Sequence, residues 1–199
     1  PRGIYIVNSQ LTLSNSRVRL VGVDRRASII KAGGSFTFNG TTDAVVRIGS
    51  GTDAVYSRIE NIGINCNSIA GSIGVYSTAV QESSGLRDCT VEGYVVKGIF
   101  VSSSSAQNMR FSDLELFHAT NASTAIGIDI DSQGGVCQID NVTINSLSGS
   151  YYATSGIGIR LTAGFTKLFK IHVEHIKTGI QFTGGATGEV DGVQGSVTT

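Results

Sequence analysis

The sequence predicts an all-β solenoid: a single-stranded parallel β-helix with coils of about 25 to 30 residues. Three observations carry that reading. Five segments align without gaps, namely IENIGIN from Ile59, LRDCTVE from Leu86, FSDLELF from Phe111, IDNVTIN from Ile139 and LFKIHVE from Leu168. Their central apolar residues, Ile62, Cys89, Leu114, Val142 and Ile171, recur at spacings of 27, 25, 28 and 29. A second series follows the first in constant order: GVYST from Gly74, GIFVS from Gly98, GIDID from Gly127, GIRLT from Gly158 and GIQFT from Gly179. Both series alternate apolar with polar residues, the period of a strand, and no helical period lies between them. The composition agrees. With 26 Gly, 1 Pro and no Trp, it suits short strands joined by polar turns better than a helical bundle.

A single coil buries one face only, so coils must stack, at about 4.8 Å per step, before any core exists. VRLVG from Val18, SIIKA from Ser28, FTFNG from Phe36 and VVRIG from Val45 read as strands of less regular first coils. GTT near Thr41 and GSGTD near Gly51 read as turns, and NSIAGS and SLSGSYYATS as longer loops leaving the coil. The whole of residues 1–199 reads as one domain, and the open ends of the stack make it a fragment of a longer chain.

Charge narrows the partners. Fifteen basic residues balance fifteen acidic ones, so no overall field attracts nucleic acid or an anionic membrane. The longest apolar runs fall far short of the roughly 20 residues that span a bilayer, so no membrane insertion is expected. Cys66, Cys89 and Cys137 lack metal-ligand spacing and read as buried thiols. No cofactor or metal is expected.

The opening PRGIYIVNSQLTLSNSRVRLVGVDRRASII resembles the start of the pectate-lyase-like β-helix domain of bacteriophage tailspikes and related polysaccharide-acting proteins. The matching residues are Pro1, Gly3 and Tyr5, then Leu20, Gly22, Ile29 and Ile30. Val23 and Asp24 depart from the pattern, which more often has a small residue and Gly there. The resemblance implies a right-handed helix, a homotrimer, and a lateral groove that binds or cleaves polysaccharide, in a virion tail or a secreted protein.

Stacking turns the alignment into surface columns. In the second series the outward positions are Tyr76, Phe100, Asp129, Arg160 and Gln181, followed by Thr78, Ser102, Asp131, Thr162 and Thr183. Arg160 is expected one coil from Asp129, where it offsets the repulsion between Asp129 and Asp131. Two readings compete. The group is either an exposed charge cluster of small energetic weight or a pair of carboxylates flanking a glycosidic bond, with Tyr76 and Phe100 stacking on sugar rings and Thr162 and Gln181 binding substrate.

The first series gives the columns Asn61, Asp88, Asp113, Asn141, Lys170 and Gly63, Thr90, Glu115, Thr143, His172. The former reads as a structural side-chain ladder. Glu115 reads as an isolated acid between hydroxyls, hence a further catalytic candidate. His172 and Glu174 share a strand face but are too few for a metal site, and His118 is expected in a turn. The function expected is binding and degradation of a bacterial surface polysaccharide, with hydrolase favoured over lyase. A non-catalytic tail shaft and a secreted pectinase-like lyase are the alternatives.

Overall fold

The structure, a computed structural model, describes residues 1–50, 54–78, 80–103, 106–132, 135–149 and 151–195. They form a right-handed parallel β-helix of about six turns. The first series builds a ten-stranded parallel sheet containing Gly85–Tyr94, Met109–His118, Val136–Ser146, Phe165–Val173 and Thr187–Gly195 in spatial order. The second builds a seven-stranded parallel sheet from Leu11–Leu13, Ala44–Ile48, Ile73–Ser77, Lys97–Ser102, Ile126–Ser132, Ala153–Leu161 and Ile176–Phe182. The register is the one the repeats require: Leu86 pairs Phe111, which pairs Ile139, which pairs Leu168. Val75, Ile99, Ile128, Ile159 and Ile180 line up in the other sheet.

In five successive coils the chain turns a corner on the first sheet. Asn61, Asp88, Asp113, Asn141 and Lys170 all have φ between 50° and 57°. Asn and Asp adopt this left-handed conformation at lower cost than other side-chain-bearing residues. The left-handed residue resets the alternation, so two polar positions follow one another and Phe111 and Leu114 both point inward. Ile59, Leu86, Phe111, Ile139 and Leu168 form one buried column and Ile62, Cys89, Leu114, Val142 and Ile171 the next. Each such side chain contributes about 1.5–3 kcal/mol on burial. The second series opens on glycine because its coils meet there closely: a Cβ on Gly98 would lie 2.6 Å from the Gly127 carbonyl oxygen, and one on Gly127 2.6 Å from that of Gly158.

Three details differ from expectation. FTFNG forms no strand, because the Asn39 side chain accepts hydrogen bonds from the amides of Thr41, Thr42 and Asp43 and folds the chain into a turn, leaving Phe36 stacked on Phe38. His118 is not in a turn but ends the strand Met109–His118, fully buried. Most of GSGTD lies outside the described residues. The three cysteines are free and buried. No helix among the described residues is long and apolar enough to cross a membrane.

Candidate functional site

The second-sheet column assembles as the repeats imply, with Arg47, Tyr76, Phe100, Asp129, Arg160 and Gln181 paired in register. Arg160 donates from Nε and Nη2 to the two oxygens of Asp129, both at 2.8 Å. Lys97 Nζ lies 2.7 Å from Asp129 Oδ2 and 3.1 Å from the centre of the Phe100 ring. The hydrogen bond to Asp129 raises the Arg160 pKa further above its usual range.

Exposure corrects the expected picture. The Asp129 side chain is 0% exposed, so it belongs to no exposed charge cluster. Tyr76 and Phe100 stack on each other at 5.1 Å beside Ala44, Ile73 and Val96, which leaves no ring face for a sugar. The column points away from the helix interior, but Lys97 lies over Phe100 and Asp129, and Arg47 lies over Tyr76. Beside it, Asp131 is exposed, 3.5 Å from the Ser102 hydroxyl, and Thr183 donates to Thr162 at 3.4 Å. These residues form a polar row beside the enclosed column.

Glu115 is not isolated. Arg25 Nη2 lies 2.7 Å from Glu115 Oε1 and Arg26 Nη2 3.2 Å from Oε2, while Arg25 Nη1 also reaches Asp88 at 3.1 Å and the Asp113 carbonyl at 2.9 Å. The turn carrying these arginines crosses the outer face at Gly63, where a Cβ would stand 2.5 Å from the Arg25 carbonyl oxygen. Glu115 is therefore neutralised by residues some ninety positions earlier, a pairing that strand alternation does not reveal.

The concave surface lies on the first sheet. A cavity of about 390 Å³ walled by Tyr56, Glu82, Asn108 and Arg110 shares Ser83, Arg110 and Gln138 with a cavity of about 300 Å³. The latter shares Arg87 and Asp113 with a third, of about 520 Å³, bordered by Asn61, Asp88 and Asn141. Together they make one polar groove across neighbouring coils. Its central part holds Arg58, Arg87, Arg110, Gln138, Asp113 and Asp140. Asn141 Nδ2 donates to Asp113 Oδ1 at 2.8 Å, which gives the ladder reading one rung. The outward polar residues of this arm were visible in the sequence, but only the left-handed corner shows which of them share a hollow.

All three histidines of the chain meet in one network. His172 Nε2 is 2.9 Å from Glu174 Oε1, Asn145 donates to Glu174 Oε2 at 3.0 Å, and His175 Nδ1 is 2.7 Å from Asn145 Oδ1. His118 places its ring nitrogens 3.1 Å from the Ala119 carbonyl and 3.2 Å from the His175 carbonyl. Burial lowers the His118 pKa. The bond from His172 lowers that of Glu174.

Solved structures share this architecture. ORF18 of Geobacillus virus E2 superposes with a TM-score of 0.54 at 14% identity, covering 98% of this chain and 52% of that one, so the present chain spans about half of its length. The chain has the pectate-lyase-like β-helix fold. Other solved structures that resemble it are a provisionally named glycosyl hydrolase from Parabacteroides merdae (TM-score 0.56, 9% identity, 98% and 80% of the two chains) and a pectin methylesterase from Yersinia enterocolitica (0.54, 13%, 100% and 84%). Neither a family model nor a curated protein sequence matches the chain.

Proposed function

We propose that the protein binds and depolymerises an extended bacterial surface polysaccharide laid across the first-sheet groove, as part of a homotrimeric phage tailspike. The observation that carries this reading is the continuity of the groove: successive hollows share Arg110, Gln138, Arg87 and Asp113. An open polar trough of this kind suits a chain of hydroxyl-rich rings better than a compact ligand. The carbohydrate-related names of two structural neighbours and the viral origin of a third support it.

Hydrolysis is favoured over elimination. Asp113 and Asp140 stand on neighbouring coils in the same hollow, flanked by Arg87 and Arg110. One carboxyl would protonate the glycosidic oxygen as its bond to the anomeric carbon breaks; the other, as a carboxylate, would take a proton from the attacking water. The ledge of Ser102, Asp131 and Thr162, with Arg160 and Gln181 beside it, would contact glycan on the second sheet, Asp129 holding Arg160 in place.

A non-catalytic shaft is the second reading, favoured by the arginine pairing of both Asp129 and Glu115. Capsular and lipopolysaccharide preparations from a bacterial panel separate the readings. New reducing ends without unsaturated uronate indicate a hydrolase, and their loss in Asp113→Asn or Asp140→Asn, with folding intact, places the chemistry in the groove. Asparagine tolerates the left-handed backbone at position 113, so that variant tests chemistry rather than conformation. Full activity in both variants but not in Asp131→Asn moves the site to the second sheet. Binding without cleavage supports the shaft, and a monomeric mass in solution counts against the tailspike.

A further inference from the structure

We infer that the 300 Å³ hollow around Gly85 is an anion site, built to hold one carboxylate or phosphate substituent of the bound glycan; this rests on the groove being the glycan site. The outward column here runs Arg58, Gly85, Arg110, Gln138 in register. Gly85 is the gap in it. Its φ is +143°, and a Cβ would stand 1.9 Å from the Arg110 carbonyl oxygen, so no other residue can fill the space without moving the next coil. The hollow is thus a consequence of the backbone, at the small end of ligand-site volumes.

Its walls are basic. Arg58, Arg87 and Arg110 all line it. Arg58 is anchored, donating from Nε to the Ser83 carbonyl at 2.8 Å, with its Nη1 3.8 Å from Glu60. Glu60 itself is bound by Arg19. Arg87 and Arg110 are exposed and have no carboxylate partner among the described residues, whereas Arg19, Arg25, Arg26 and Arg160 each have one. Three guanidinium groups thus face two carboxylates, Asp113 and Asp140, around this hollow, an excess of one positive charge. Of the two acids on the rim, Asp113 already accepts a hydrogen bond from Asn141. The planar fork of a guanidinium matches the paired oxygens of a carboxylate or phosphate, which is the chemistry left to be satisfied.

Arginine Nε–Hε resonances read the site directly. Titrating the folded protein with glucuronate, with inorganic phosphate and with glucose should give saturable shifts at Arg87 and Arg110 for one or both anions and none for glucose. The response to glucuronate against phosphate identifies which substituent the site takes. Arg87→Gln and Arg110→Gln should each weaken the anion about tenfold, about 1.4 kcal/mol, read at the guanidinium groups that remain, and the double variant should abolish the saturable shift at Arg58, the third arginine of the hollow. Absence of saturation with both anions, or an Arg58 response unchanged in the double variant, overturns the inference. Anion binding by a protein that retains no polysaccharide of the bacterial panel would refute the glycan reading alone, and polysaccharide binding without an anion response would refute this one alone.

Discussion

Asp129→Ala removes the carboxylate that bridges Lys97 and Arg160. Both oxygens of Asp129 are engaged, the side chain is fully enclosed, and Lys97 is itself only 13% exposed. Truncating one member of a buried ion group strands the other charges, at a cost of about 3–5 kcal/mol. For 199 residues an unfolding entropy of about 2.1 cal/mol/K per residue corresponds to roughly 0.4 kcal/mol per kelvin, so the melting temperature should fall by about 7–12 °C. Differential scanning calorimetry and urea midpoints measure this. Replacing Asp129, Arg160 and Lys97 together by leucine or methionine should recover most of the loss, because an apolar cluster of similar volume needs no partner. A cost below about 1 kcal/mol for Asp129→Ala would mean that water reaches the pair as it reaches a surface bridge, and the enclosed-column argument would fail.

Three further outcomes follow from the same geometry. Arg25→Ala should cost about 2 kcal/mol, since it removes charge-assisted contacts to Asp88 and Glu115 that are partly exposed, and faster amide exchange over residues 22–32 should accompany it; unchanged exchange would refute the clamp. His118 has a folded-state pKa below its ordinary 6.5, so the folded chain binds fewer protons than the unfolded one in mild acid. The stability it confers is complete above about pH 6.5 and lost as the pH falls below that, and His118→Phe should flatten urea midpoints between about pH 7 and 5. Burial pushes the Cys89 thiol up to about 12 and raises those of Cys66 and Cys137 as well. None of the three should react with a disulfide reagent at about pH 8 until urea unfolds the chain.

The stacking was legible because repetition encodes register directly. Once Cys89, Leu114 and Val142 are aligned, the pairing of Asp129 with Arg160 follows from counting. The enclosure of that pair was not legible, because it depends on Lys97 bending back over Phe100, a matter of side-chain reach from a strand end rather than of period. Glu115 failed for a different reason. Its partners, Arg25 and Arg26, lie in an irregular turn before the repeats begin, where no alignment constrains the geometry. The corner residues stand between these cases. Two adjacent polar residues between inward apolar ones, as in Ile59-Glu60-Asn61-Ile62, already signal an interrupted alternation, yet only backbone dihedrals identify it as a left-handed bend. Without that bend the outward residues on either side could not be assigned to one groove.

The uniform position of that bend also bears on how the molecule can be remodelled. Coil length varies by several residues while the bend stays fixed relative to the inward side chains, so the variation is absorbed in the connections between the two sheets. An added residue within a strand would turn every following side chain to the wrong face. The link before Ala153, by contrast, joins a strand of one sheet to a strand of the other, so a change of length there leaves the facing of every later side chain as it was.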